Sequence, residues 1–176
     1  MPDPSDSDSS IAQPIRCILS DVDGVMTDGR IIYDSAGAET KQFHVRDGLG
    51  IKLWMQAGFP FGIITARNSP MVERRAVELG ISHVSQGSGD KLQRALQILP
   101  EWGCELSSVC YIGDDLPDVP VMQRVGLAVA PADAAADARD VAHWVLSSGG
   151  GHGAVRETIE RLLRAKNLWS ATGATA

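Results

Sequence analysis

The sequence predicts an α/β protein: one mainly parallel sheet with helices on both faces and a small β-hairpin after the first strand. Two observations carry that reading. Short apolar runs of strand length alternate with helix-length stretches, and a helix between two strands returns the chain so that the strands lie parallel. The helical stretches also carry their own start and stop residues, with Ser or Pro ahead of them and Gly or Pro behind.

Residues 15–20 open the series as a buried strand, four of the six apolar and two β-branched. Residues 30–33 and 39–43 flank Asp34-Ser35-Ala36-Gly37-Ala38, a hairpin with a glycine-containing loop. Residues 47–57 are helical and close at Gly58. The second buried strand covers 60–65. Ser69 and Pro70 then supply an N-cap and a first-turn proline for a helix that runs to Leu79 before Gly80. A helix over 89–99 stops at Pro100, a third strand spans 108–112, and a helix over 116–125 stops at Gly126. Shorter strands are expected at 127–129 and 144–146, and a helix over 154–167 closes the domain. The alanine-rich segment 131–140 yields no interpretation.

The length, 176 residues, suits one domain over residues 15–169. Residues 1–14 hold four Ser, three Asp and three Pro, too little apolar surface for a core, and are expected to be a disordered tail. Residues 170–176 read as a flexible end. The net charge of −6 has the wrong sign for a nucleic-acid-coating surface. No apolar run approaches the length of a bilayer span. The first ten residues are acidic and polar, so no secretory signal is expected. Cys17, Cys104 and Cys110 lack metal-ligand spacing and read as free thiols of a reducing compartment, the cytoplasm.

The strongest chemical signal follows the first strand: Asp21-Val22-Asp23-Gly24-Val25-Met26-Thr27-Asp28-Gly29. In extended chain, Asp21 and Asp23 point the same way and bring two carboxylates together at a strand end. Such a pair repels unless a cation sits between its members or one is protonated, and a hard divalent ion such as Mg²⁺ suits oxygen ligands. Taken alone, Asp-x-Asp-Gly reads equally well as a turn. A calcium-loop reading fails because Val25 occupies the third ligand position. A second acidic cluster, Gly113-Asp114-Asp115-Leu116-Pro117-Asp118, follows the third strand. Helix capping accounts for one of its carboxylates, not for three in five positions. Two strand-end clusters in one small domain favour a shared cation. Thr65 ends the second strand just ahead of a helix N-terminus, a place that holds anions. Lys91 sits in a first helical turn, where a cation opposes the helix dipole unless a partner offsets it. Alone, a strand-end Thr and a helical Lys mean little.

In chain order, Asp-x-Asp, Thr, Lys and Gly-Asp-Asp-x-x-Asp resemble the motif set of the haloacid dehalogenase superfamily of phosphohydrolases, over residues 15 to about 130. Asp21 to Gly29, Phe43-His-Val-Arg-Asp-Gly-Leu-Gly-Ile and Gly149-Gly-Gly-His-Gly-Ala-Val-Arg-Glu narrow the likeness to the 3-deoxy-D-manno-octulosonate (KDO) 8-phosphate phosphatases. The resemblance implies a Rossmann-like sheet without a large cap domain. It also implies a homotetramer in which each hairpin helps to close a neighbour's site. Asp21 would be the nucleophile and Asp23 the acid and base. Mg²⁺ would be held by Asp21, the Asp23 carbonyl and Asp114. Thr65 and Lys91 would bind phosphate, and Asp115 and Asp118 would orient Lys91 or water. Arg67 would read the substrate carboxylate, with Arg75 as a contact across a subunit interface or else a solvated side chain. Related phosphatases of nine-carbon sugar acids usually carry Glu at the Arg67 position and Lys at the Glu78 position, so both residues favour the eight-carbon substrate. Ala66 stands where the family more often has Gly. His44 and Arg46 suit the cavity entrance or a plain surface. Gly149 to Gly153 reads as a flexible loop, with His152 exposed.

Two readings from other classes stand beside this one. A phosphorylation-controlled receiver domain also combines Mg²⁺, acids, Thr and Lys on a doubly wound sheet, but its phosphorylated Asp ends a later strand. A catalytically silent assembly protein would have no need of both first-strand aspartates together with the Thr and the Lys.

Overall fold

The computed structural model describes residues 10–169. Six strands form one parallel sheet: β1 (Cys17–Ser20), β4 (Phe61–Ile64), β5 (His83–Ser85), β6 (Val109–Ile112), β7 (Leu127–Ala130) and β8 (Trp144–Val145), in the order β5-β4-β1-β6-β7-β8. The first strand therefore lies near the middle, with β4 on one side and β6 on the other. Ile18 stands opposite Phe61 and Cys110, and Ser20 opposite Ile63 and Ile112. The chain winds outward from β1 through β4 to β5, then crosses to β6 on the other flank. That reversal leaves a crevice at the carboxyl ends of β1 and β6, the place where open α/β sheets bind ligands.

The pleat divides the central strands between two cores. Ile18, Cys110 and Ile112 face one layer, with Trp54, Val72 and Ile159. Cys17, Leu19, Val109 and Tyr111 face the other, with Ala95, Met122 and Ala138. The first layer contains α1 (Val45–Gln56), α2 (Pro70–Leu79) and α6 (Ala154–Ala165); the second contains α3 (Lys91–Ile98), α4 (Val119–Met122) and α5 (Ala136–Val141). The longest helices, α1 and α6, pack on each other, joined where the Asp47 carboxylate accepts from the Arg156 amide at 2.8 Å. The hairpin, β2 (Ile32–Tyr33) and β3 (Glu39–Thr40), pairs antiparallel and apart from the main sheet. Asp34 organises its turn by accepting from the amides of Ala36 and Ala38. Among the described residues, no helix is long and apolar enough to cross a membrane.

The expected strands and hairpin are present within one or two residues of their predicted ends at most positions. Four features differ. An edge strand at His83–Ser85 carries no strand signal, because it is three residues long and only Ser85 is fully buried. The alanine-rich segment contains α5, which buries Ala138. The helix expected over 116–125 is broken into a 3₁₀ turn (Leu116–Asp118) and the single-turn α4, as Pro117 and Pro120 remove amide donors. At the N-terminus, Ala12 is fully buried and Ile11 packs against the core, so ordered chain begins ahead of the expected tail boundary at residue 14. The rest of the expected tail, residues 1–9, and the expected flexible end at 170–176 lie outside the described residues.

Candidate active site

Asp21 is the first residue past β1, and its amide donates to Ile112 O at 3.0 Å, which pins it to the end of β6. Its Oδ1 accepts from the Val22 amide at 2.6 Å and its Oδ2 from Lys91 Nζ at 2.6 Å. Lys91 is the first residue of α3, capped by Asp90, and its ammonium also donates to Asp118 Oδ1 at 2.6 Å. Two buried carboxylates are thus the partner that a cation in a first helical turn requires. Burial lowers the affinity of Lys91 for its proton, but Asp21 and Asp118 outweigh that and hold the ammonium above its usual range. Asp118 is saturated: Oδ1 also takes the Tyr111 hydroxyl at 2.6 Å, and Oδ2 accepts from the amides of Asp114 and Asp115.

Asp114 lies against Gly24. A Cβ on Gly24 would come within 2.0 Å of Asp114 Oδ2, and the glycine's φ of +87° is one that other residues seldom adopt. One oxygen from each of Asp21, Asp114 and Asp118 falls within 4.8 Å of the others. Burial raises the Asp114 carboxyl to about 8, with the charges of Asp21 and Asp118 adding to it. Burial and Asp118 likewise push Asp21 up to about 6, against the opposing pull of Lys91. Three crowded carboxylates with one ammonium form a donor set of hard oxygens that a divalent cation would relieve. Since Asp118 is already fully bonded, Asp21 and Asp114 are the carboxylates with capacity to spare. The Asp23 side chain stands outside this group, paired with Lys41 and near Arg67.

Asp21, Asp23, Thr65, Lys91, Asp114 and Asp115 line one cavity of about 240 Å³, with Arg67 and Pro117 at its wall. Thr65 is buried, fixed by its amide to Ser85 O at 2.9 Å and by its carbonyl to the Ser88 amide. Asp115 caps the 3₁₀ turn through the Leu116 amide at 2.8 Å and does not touch Lys91; of the two acids expected to orient that lysine, Asp118 does so. Arg67 reaches the cavity but is engaged, 2.7 Å from Glu39 Oε1. Arg75 is elsewhere: it stacks over Phe43, packs against Gly48 and pairs with Glu78. His44 caps α1 by accepting from the Arg46 amide. The glycine-rich segment is a packing device, because a Cβ on Gly150 would fall 2.0 Å from Gly24 O, so only a bare backbone fits behind the 22–29 loop. His152 is exposed, as expected. A larger groove of about 470 Å³ runs along α6 beside Arg46 and His152, but it contains none of the clustered acids.

Sequence reasoning missed Lys41, Glu39 and Tyr111. A lysine in a polar hairpin strand reads as solvated, and a tyrosine inside an apolar run reads as core. Neither pattern discloses a charged partner.

A family model for haloacid dehalogenase-like hydrolases matches residues 81–157. A 3-deoxy-D-manno-octulosonate 8-phosphate phosphatase of Yersinia pestis is 46% identical over 163 residues, covering 92% of this chain and 87% of that protein. The Escherichia coli protein of the same name is 43% identical over 155 residues, covering 88% and 82%. The crystal structure of the Moraxella catarrhalis phosphatase, in complex with magnesium, phosphate and KDO, superposes with a TM-score of 0.89 at 43% identity, covering 93% of this chain and 94% of that one. The parallel sheet, the strand-end acids and this likeness along nearly the whole chain lead to one assignment: the chain belongs to the haloacid dehalogenase-like hydrolases, within the family of 3-deoxy-D-manno-octulosonate 8-phosphate phosphatases.

Proposed function

We propose that the protein is a Mg²⁺-dependent phosphatase that hydrolyses KDO 8-phosphate to KDO and phosphate through an aspartyl-phosphate. The observation that carries this reading is Asp21, held by Lys91 beside Asp114 inside the small cavity at the β1/β6 crevice. Asp21 attacks phosphorus, and Asp23 protonates the departing sugar oxygen, then takes a proton from the water that cleaves the phosphoenzyme. Thr65 and Lys91 bind the non-bridging phosphoryl oxygens. Asp21, the Asp23 carbonyl and Asp114 would hold Mg²⁺, which when bound neutralises charge on the transferring phosphoryl group. Asp118 positions Lys91. Arg67 offers the substrate carboxylate a planar guanidinium once it exchanges Glu39 for the ligand.

The protein acts as a homotetramer in this reading. The hairpin exposes Ile31 and Tyr33, the latter 62% accessible, and α1 exposes Val45 and Leu49, apolar surface that suits burial against another subunit. Arg75, remote from its own cavity, is then a candidate contact across that interface. Three unbridged cysteines suit the reducing cytoplasm. The test is Mg²⁺-dependent phosphate release from KDO 8-phosphate against nine-carbon sugar-acid 9-phosphates and hexose phosphates. Preference for KDO 8-phosphate, lost in Asp21→Asn, supports the reading; preference for a nine-carbon ester, or no turnover at all, removes it.

A further inference from the structure

Lys41 follows β3 immediately, and its side chain is 1% exposed. Lysine is seldom buried without a partner. Here the ammonium donates to Asp23 Oδ1 and lies 3.6 Å from Glu39 Oε1. Arg67 stands on the other side of the same two acids, 2.7 Å from Glu39 Oε1 and 3.7 Å from Asp23 Oδ2. The four groups alternate in sign around a closed ring. Asp23 and Arg67 line the cavity, whereas Lys41 and Glu39 do not. Lys41 therefore reaches the site only through what it holds.

The Arg67–Glu39 contact already ties the hairpin to the strand-end loop after β4. What Lys41 adds is a fixed orientation for Asp23. One carboxyl oxygen is held by a buried donor, while the other stands beyond hydrogen-bond reach of Arg67. We propose that Lys41 is a positioning residue for proton transfer: it holds the Asp23 carboxyl by Oδ1 so that Oδ2 meets the leaving-group oxygen. The proposal rests on the reading of Asp23 as the proton donor. In that step an Asp21 oxygen bonds to phosphorus and the ester P–O bond breaks. Its electron pair stays on the leaving oxygen, which takes the proton from Asp23 and leaves Asp23 a carboxylate.

The test is Lys41→Met, assayed as kcat/KM on aryl phosphates whose phenols range from strongly to weakly acidic, at saturating Mg²⁺. This ratio reads the steps through phosphoenzyme formation, so the later work of Asp23 on water does not enter. A good leaving group departs without a proton. The variant is expected to stay within about threefold of wild type on p-nitrophenyl phosphate and to lose about ten- to a hundredfold on phenyl phosphate, part of what a positioned acid contributes. Lys41→Arg should recover most of that loss. An equal drop along the series would mark a structural link only, and no drop would detach Lys41 from the reaction; either result overturns the proposal. Should Lys41→Met fail to fold, Lys41→Gln takes its place with the same outcomes. The underlying reading is judged separately, by wild-type hydrolysis of p-nitrophenyl phosphate that needs Mg²⁺ and vanishes in Asp21→Asn.

Discussion

Lys91 Nζ lies 2.6 Å from Asp118 Oδ1, with no more than 2% of either side chain exposed. Asp118→Ala would take from Lys91 one of its two carboxylates, and from Tyr111 and the amides of Asp114 and Asp115 their common acceptor. Removing one member of a buried ion pair costs about 3 kcal/mol. We expect a lower urea midpoint and a large fall in turnover. An unchanged midpoint would mean that water can take the place of Asp118 for these groups.

Asp23→Asn keeps the backbone carbonyl and loses the exchangeable proton. Turnover on sugar phosphates should drop by about 10²–10⁴, while Mg²⁺ affinity by calorimetry and the circular dichroism spectrum stay close to wild type. Near-normal turnover would move the acid to another residue.

Gly24→Ala tests the metal site from behind. The new methyl must displace the Asp114 carboxylate, and the left-handed backbone adds about 1–2 kcal/mol. Mg²⁺ at a hundred times its Kd stabilises a folded protein by about 2.7 kcal/mol, so wild-type Tm should rise with Mg²⁺ and return on chelation, with turnover lost. In the variant, the rise at the same Mg²⁺ concentration should shrink markedly. An equal rise in both proteins would show that Asp114 is not a ligand.

Glu157 gives the pH dependence a definite sign. Partial burial raises its carboxyl, but the amides and hydroxyls of Ser147 and Ser148 outweigh that and hold it below its usual value of 4.5. A depressed folded-state value means that its contribution to stability is present above about pH 4.5 and is lost as pH falls through the folded value. Between about pH 5 and pH 3, wild type should therefore lose more stability than Glu157→Gln in chemical denaturation. Parallel curves would discount the Ser147–Glu157 bonds.

A tetramer is expected from the exposed hairpin, and sedimentation that finds a fully active monomer would set it aside.

The residues that meet in the cavity were legible in the chain because they are ordered along it. Asp21, Thr65, Lys91 and Asp114 each lie at or just past a strand end or at the start of a helix, places that apolar runs and capping residues mark locally. The same local logic explains what was legible of the fold: buried strands announce themselves, while a three-residue edge at His83–Ser85 and a six-residue helix that buries only Ala138 do not. The stretch 116–125 read as one helix, but Pro117 and Pro120 each remove an amide donor and divide it.

By itself, then, the sequence determined the buried strands and most of the helices between them, the strand-end carboxylates and the position of Lys91 at a helix start, because those depend on near neighbours in the chain. Only the tertiary structure decided that Asp118 rather than Asp115 anchors Lys91, that Arg75 stands away from the cavity, and that Lys41 is buried against Asp23. Each of these joins elements far apart in sequence. Pairing between charges follows distance and burial in space, which no local pattern encodes.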